Sequence, residues 1–392
     1  MPPKEKLNIA MVCDPIGSNK SGVVVSTVRF AKLLRARGHH IIFIGAKLSE
    51  QDDSDHDSIK AYRYRSIPIP KGDGWCLSFP TVRELKKVFM DEKIDVVHII
   101  LPMSGAVVAI KAAQALKIPI VAHSHSQPEN IFLEAPKWLQ PTLGRLWNRY
   151  LVWVYSKAQT LIYPSEMAKS LLHNLGKKNQ SSMVISNGIN LSHFVTLPVG
   201  DFYKRFNIPE KAIKLLFVGR LHLEKSVDTL IKAMPYIIKT SKNIHLMIVG
   251  PGYLRPKLEK LTQSLGMQPY ITFLGQVSEE DKIIAYNASD IFVLPSIAEL
   301  EGMVVLEAMA CSKPIVISDA KMSASRYFVD GNGFLFKTRD HQHLAEQVLK
   351  IIADPVLRKK MGEKSFQNAQ KYDIHKSVEL LEEVYYKAIT TP

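Results

Sequence analysis

Residues Ile291 to Ala310 read Ile-Phe-Val-Leu-Pro-Ser-Ile-Ala-Glu-Leu-Glu-Gly-Met-Val-Val-Leu-Glu-Ala-Met-Ala. Ile291–Leu294 is a short apolar run of the kind that forms a buried strand, and Pro295 and Ser296 end it. From Met303 onward good helix formers dominate. Strand, turn and helix in this order are the repeating unit of an α/β fold. Glu299 and Glu307 stand eight positions apart, with Gly302 between them. A helix start offers unpaired N–H groups and a positive dipole end, both of which favour phosphate. Gly302 carries no side chain, so the backbone can approach a ligand closely. The amides of Gly302, Met303 and Val304 are therefore candidates to hold a pyrophosphate. Glu307 is placed to accept from ribose hydroxyls, and Glu299 from a sugar. The competing reading is a loop before a core helix, with two solvated acids.

Working outward, the same alternation recurs. Leu7–Val12, Ile41–Ile44, Asp95–Ile100, Ile118–Ala122 and Thr160–Tyr163 read as strands. Helical segments to about Arg37, over 105–116, around 142–157 and from Ser165 separate or follow them. Leu215–Val218, Ile244–Val249, Ile271–Leu274, Ile291–Leu294 and Pro314–Ile317 repeat the pattern. Strands alternating with helices predict parallel sheets covered on both faces. The weakly periodic stretch Asn190 to Pro209 is the expected linker. The chain thus reads as two Rossmann-like domains facing a central cleft, where α/β folds bind ligands.

The chain has 392 residues, enough for two cores. Cys13, Cys76 and Cys311 show neither metal spacing nor a disulfide framework, which fits a reducing cytoplasm. No apolar run is long enough to span a membrane, and no signal peptide is evident. Net charge is +14. Residues 1–190 carry 25 Lys and Arg against 15 Asp and Glu, and the remainder 26 against 22. A basic first half suits an anionic surface. Nucleic acid is not expected as a partner, because no binding motif or strand-tracking groove can be read.

Arg220 and Lys225, in Gly219-Arg-Leu-His-Leu-Glu-Lys225, follow the first strand of the second half. A guanidinium and an ammonium there would neutralise a diphosphate as it leaves. Val249-Gly-Pro-Gly252 begins a dinucleotide fingerprint, but Arg255 stands where its third glycine belongs. His123-Ser124-His125 has two histidines and no evident third metal ligand. A histidine bonding a sugar is the better reading, and Gln127, Glu129 and Asn130 follow it towards an acceptor. Leu143, Leu146, Trp147, Tyr150, Leu151 and Val154 form a helical stripe opposite Arg145, Asn148 and Arg149. Trp138 and Trp153 lie off the stripe. With Trp75 and the basic first half they suggest an interfacial membrane patch.

These motifs, in this order, resemble the retaining glycosyltransferases of family 4, which have the GT-B fold. The resemblance spans nearly the whole chain. It rests on the Gly17–Gly22 loop, Arg37-Gly38-His39, Asp95-Val96-Val97-His98, His125 six residues after Pro119, and Pro164-Ser165-Glu166. It continues through Ser186-Asn187-Gly188-Ile189, Gly219-Arg220-Leu221 with Glu224-Lys225, Val249–Gly252, and Glu299 with Glu307. His125-Ser-Gln-Pro-Glu129 is similar to a stretch in bacterial glycolipid glucosyltransferases. By resemblance, Arg220 and Lys225 bind the donor diphosphate, and Glu307 binds the ribose. Glu299 and the Gly302–Val304 amides hold the sugar and phosphate. His125 contacts the transferred sugar. Gly17, Gly22, Gly250 and Gly275 fall among the donor-binding positions. Three departures stand out: Ser21 before Gly22, Ser226 after Lys225, and Glu301 where Phe is frequent.

The resemblance implies domains at 1–190 plus about 372–392, and at 205–371. It also implies transfer of a hexose with retention from a nucleoside diphosphate sugar, which serves as co-substrate. No metal or other cofactor is expected. UDP-glucose or another UDP-sugar is favoured, with GDP-mannose as the other donor. The expected acceptor is a lipid of diacylglycerol or sterol type, or a lipid-linked glycan. The expected location is cytoplasmic, with a peripheral seat on the inner face of the membrane. The alternatives are the same chemistry on a soluble small molecule or polysaccharide, and an inactive sugar-nucleotide-binding scaffold.

Overall fold

The computed structural model describes residues 6–17, 22–48, 58–69, 75–125, 135–172, 180–194 and 197–390. Two compact units result, Met1–Asn187 with Ile374–Pro392, and Gly188–Asp373.

Unit 1 contains β1 (Asn8–Val12), β2 (His40–Ala46), β3 (Ala61–Tyr64), β4 (Ser66–Pro68), β5 (Cys76–Ser78), β6 (Val96–Ile99), β7 (Ile120–His123), β8 (Thr160–Tyr163) and β9 (Ser181–Val184). Seven form one sheet in the order β3-β2-β1-β6-β7-β8-β9, every pair parallel. β4 and β5 form a separate antiparallel ribbon. β6, β7 and β8 are buried at every position, as a sheet covered on both faces requires. Thr81 and Glu84 close a capping box at the start of the helix Val82–Asp91.

The last helix, Ile374–Thr390, belongs to this unit. It buries Ile374, Val378, Leu381, Tyr385 and Ala388. Spacings of three and four put these residues on one stripe, which joins the apolar core with Ile9, Met11 and Val121. Burying each of the larger ones contributes roughly 1.5–3 kcal/mol.

Unit 2 contains β10 (Ile213–Val218), β11 (Ile244–Val249), β12 (Ile271–Gly275), β13 (Ile291–Leu294), β14 (Ala298–Glu299), β15 (Ile315–Ser318), β16 (Met322–Ser323) and β17 (Gly333–Phe336). Its main sheet runs β12-β11-β10-β13-β15-β17, all parallel. β14 pairs with β16 beside it. In each main sheet the first strand has the second on one side and a later strand on the other. That reversal is the switch point at whose carboxyl edge α/β sheets take ligands.

One expectation is corrected. The stretch Asn190 to Pro209 is not a spacer, because Phe194, Phe202 and Ile208 lie in the core of unit 2. Weak periodicity hid it, since its only described elements are a 3-10 turn at Leu191–His193 and a four-residue helix at Phe202–Arg205. The sequence pattern also missed the edge strands β3, β9 and β17. These read Ala-Tyr-Arg-Tyr, Ser-Ser-Met-Val and Gly-Phe-Leu-Phe, without the continuous apolar run of a strand flanked on both sides.

Candidate active site

In unit 2 the loops after β10 and β13 meet at the switch point. After β10 the chain passes Gly219 and Arg220, makes a 3-10 turn over Leu223–Lys225, and enters the helix Val227–Thr240. After β13 it passes Ser296 to β14 and then reaches the helix Met303–Ala310. The Ile297 amide donates to the Glu224 carbonyl at 2.8 Å, tying the two loops together. The Lys225 ammonium donates to Glu299 Oε1 at 2.5 Å, and the two side chains are only 14% and 12% exposed. The Arg220 guanidinium lies 3.5 Å from Glu224 and is a third exposed. Two ion pairs therefore stand on these joined loops, Arg220 with Glu224 and Lys225 with Glu299, and the second joins residues 74 positions apart.

Glu307 sits on the helix that begins at Met303 and is 4% exposed. Tyr286 Oη donates to its Oε2 at 2.9 Å, and Lys282 Nζ donates to its Oε1 at 3.2 Å. Lys282 also reaches Glu279 at 3.0 Å. Burial, with Glu307 beside it, pushes the Tyr286 phenol well up, so it stays a donor. These partners fix the orientation of the carboxylate. Sequence reasoning missed Lys282 and Tyr286. Their one signal is a four-residue spacing, which puts both on one face of the helix Glu279–Ala288.

Gly302 caps the helix Met303–Ala310 in the left-handed region, at φ 96°. A Cβ there would collide with Ser325 Oγ, which itself donates to the Glu301 carbonyl at 3.1 Å. The first helical amides, those of Met303 and Val304, have no acceptor within the helix. Gly250 has a different local task. Its amide donates to the Gly275 carbonyl at 2.8 Å, and a Cβ on it would overlap the Gly219 carbonyl. Gly250 and Gly275 thus hold the loops after β10, β11 and β12 together. Ser226, where the resemblance expects glycine, adopts the left-handed conformation that glycine favours, at φ 48° and ψ 39°. Its hydroxyl pairs with Thr229 Oγ1 at 2.9 Å. Glu301, where Phe is frequent, is buried.

In unit 1, His125 follows β7 and is half-buried. Its ring stacks on His123, with centroids 4.2 Å apart and planes at 22°. Burial pushes its pKa down to about 4, so the imidazole is neutral at pH 7. His98, on β6, has its pKa pushed down to about 3 by burial and by His125. Among the described residues the Nε2 atoms of His98 and His123 are buried without a hydrogen-bond partner, which costs of order 1–3 kcal/mol each. Among the described residues no group of three metal-ligating side chains occurs.

Gly17 has φ 101° and lies against the Arg63 guanidinium, which donates to the Ile16 carbonyl at 2.9 Å. Gly22 is the first residue of the helix Gly22–Ala36. Asp14, in the same loop, is buried and accepts from Ser78 Oγ at 2.6 Å and the Gly105 amide at 3.2 Å. Burial raises its pKa. Gln127, Glu129 and Asn130 lie outside the described residues. No helix among the described residues is long and apolar enough to cross a membrane.

Comparison with known proteins bears on the family and the fold. The model of the family "Glycosyltransferase Family 4" matches residues 20–193. That of "Glycosyl transferases group 1" matches residues 201–368. The alpha-monoglucosyldiacylglycerol synthase of Acholeplasma laidlawii is 26% identical, over 86% of this chain and 85% of its own. The phosphatidyl-myo-inositol mannosyltransferase of Mycobacterium leprae is 26% identical, over 94% of this chain and 93% of its own. Among solved structures, a sucrose-phosphate synthase from Thermosynechococcus elongatus superposes with a TM-score of 0.82 at 20% identity. It covers 99% of this chain and 100% of that one. HepE of Anabaena, solved in complex with UDP, gives 0.77 at 20% identity, covering 97% and 100%. With one family model on each unit and relatives aligned along most of their length, the chain belongs to the family 4 glycosyltransferases and has their GT-B fold.

Proposed function

We propose that this enzyme moves a hexose, with retention of configuration, from a nucleoside diphosphate sugar to a lipid or lipid-linked acceptor. The donor is UDP-glucose or another UDP-sugar, with GDP-mannose as its competitor. The observation that carries the reading is the pair of ion pairs, Arg220 with Glu224 and Lys225 with Glu299, on the loops after β10 and β13. Two cations there bind the donor diphosphate and stabilise the charge that grows as it leaves. They supply the positive charge that a metal ion provides in other transferases, so the reaction is proposed to run without one.

Glu307 accepts from the ribose hydroxyls, and Glu299 from the transferred sugar. The helix-start amides of Met303 and Val304 complete the phosphate site. His125, neutral at pH 7, hydrogen-bonds the sugar. The acceptor hydroxyl oxygen forms its bond to the anomeric carbon on the face from which the diphosphate oxygen departs. The hydroxyl proton passes to that departing oxygen.

A lipid acceptor is supported by the surface of the helix Gln140–Tyr155. Trp138 just ahead of it is 79% exposed, and Leu146, Val152 and Trp153 are exposed beside Arg145 and Arg149. Apolar rings next to cations suit an anionic membrane interface. Two glycolipid synthases among the curated relatives point the same way.

The test is thermal shift against UDP-glucose, UDP-N-acetylglucosamine and GDP-mannose, then nucleotide release with diacylglycerol in phosphatidylglycerol vesicles. NMR of the product reads its anomeric configuration. Vesicle flotation at low salt reads the membrane. Arg220→Ala and Glu299→Ala should each lower nucleotide release at least about a hundredfold. Unchanged turnover in both would refute the site. An inverted product would refute retention, and absence of flotation with turnover on a soluble sugar would refute the lipid acceptor.

A further inference from the structure

His125 is the end of a column. β6 and β7 run parallel, with His98 opposite Val121. Side chains two apart on a strand share a face, so Val121 and His123 project to the same side, and His125, just past the strand, stacks on His123. His98 joins them from the neighbouring strand. The rings are stacked, with His98 5.7 Å from His123 at 15°, and His123 4.2 Å from His125 at 22°. Phe30 of the helix Gly22–Ala36 packs against His123 at 6.5 Å. At the far end, His98 Nδ1 is hydrogen-bonded to Tyr385 Oη at 2.7 Å, and the two rings meet edge to face. Tyr385 lies on the C-terminal helix, buried in the core of unit 1.

We propose that His123, His98 and Tyr385 are positioning residues that set the ring orientation of His125, so that seating of the C-terminal helix is read out at the sugar contact. The inference rests on the reading of His125 as that contact. Two buried imidazole nitrogens without partners are an unusual core. An aliphatic pair would pack the same space without the desolvation cost. Flat rings give what aliphatic side chains do not, a stack that holds the next ring in one plane. Burial keeps the column uncharged, because desolvation penalises the protonated form of each ring. The Tyr385 hydroxyl fixes the first ring, and stacking passes the orientation to the last.

The experiment compares the full chain with Tyr385→Phe, His123→Ala, His123→Phe and His125→Ala. Nitrogen-15 histidine NMR without substrate reads the tautomer and titration of His125. Nucleotide release from UDP-glucose, with diacylglycerol in phosphatidylglycerol vesicles, reads turnover. Wild type should show one His125 tautomer, neutral to about pH 4. His123→Ala should mix the tautomers and lower kcat about tenfold, with donor KM within about twofold. His123→Phe should restore both, and Tyr385→Phe should alter the His98 and His125 signals together. Unchanged His125 signals in both His123→Ala and Tyr385→Phe would overturn the inference. Wild-type turnover in His125→Ala would instead overturn the role of His125, and the NMR comparison would still decide the coupling.

Discussion

Replacing Lys225 with alanine leaves the Glu299 side chain, 12% exposed, without its 2.5 Å partner. At that distance an effective dielectric of about 20 gives a gross attraction of about 6–7 kcal/mol, much of it offset by desolvation of both groups. Removing one partner of such a pair should cost unit 2 about 3 kcal/mol, whereas an exposed pair would cost less than about 1. Glu299→Ala should cost a similar amount by stranding the ammonium. Removing both should cost only about 2–4 kcal/mol in total, because neither charge is then left alone, so the cycle should return a coupling of about 2–4 kcal/mol. The readout must report on unit 2. All four tryptophans, Trp75, Trp138, Trp147 and Trp153, lie in unit 1, so their fluorescence is blind to it. Amide exchange of β10 and β13 in graded urea supplies the measurement. A coupling under about 0.5 kcal/mol would show that solvent screens this pair and that burial was the wrong basis for the estimate.

Two further outcomes follow from single residues. Ser226→Gly should raise the stability of unit 2 by up to about 1 kcal/mol, since the left-handed backbone costs a non-glycine residue about 1–2 kcal/mol, partly offset by glycine's larger unfolded entropy and the lost Thr229 contact. A fall in stability of that size would show that the Ser226 hydroxyl outweighs the backbone term. Acid should destabilise unit 1 between about pH 6.5 and 4. There the unfolded chain binds protons that buried His98 and His125, with pKa values near 3 and 4, exclude. Each of these histidines then costs about 1.4 kcal/mol per pH step, and stability is fully present above pH 6.5. Asp14, raised by burial, works in the opposite sense, and Glu92, lowered to about 2 by Lys60, Tyr62 and His40, loses its contribution only below about pH 4.5. Tryptophan fluorescence follows this unit, and a flat profile from pH 6.5 to 4.5 would refute it.

Local physics wrote the fold into the sequence. Ile291–Leu294 is a buried strand with the bounds its apolar run predicts, because a strand between two others and under two helix layers has no solvent face to encode. Gly302 stands at the helix start for an equally local reason, a positive φ and a close neighbour. The charge of the site was legible too, since Arg220 and Lys225 follow β10 closely, and Glu299 and Glu307 follow β13 on either side of the next helix start. Their contacts were not. That Lys225 pairs with Glu299, that Lys282 and Tyr286 hold Glu307, and that Gly250 serves loop packing all depend on which strands lie side by side. Strand order is a long-range property that no local period carries. The same is true of the histidine column. Sequence offered two histidines two apart, and only the pairing of β6 with β7 and the return of the C-terminal helix bring His98 and Tyr385 to them.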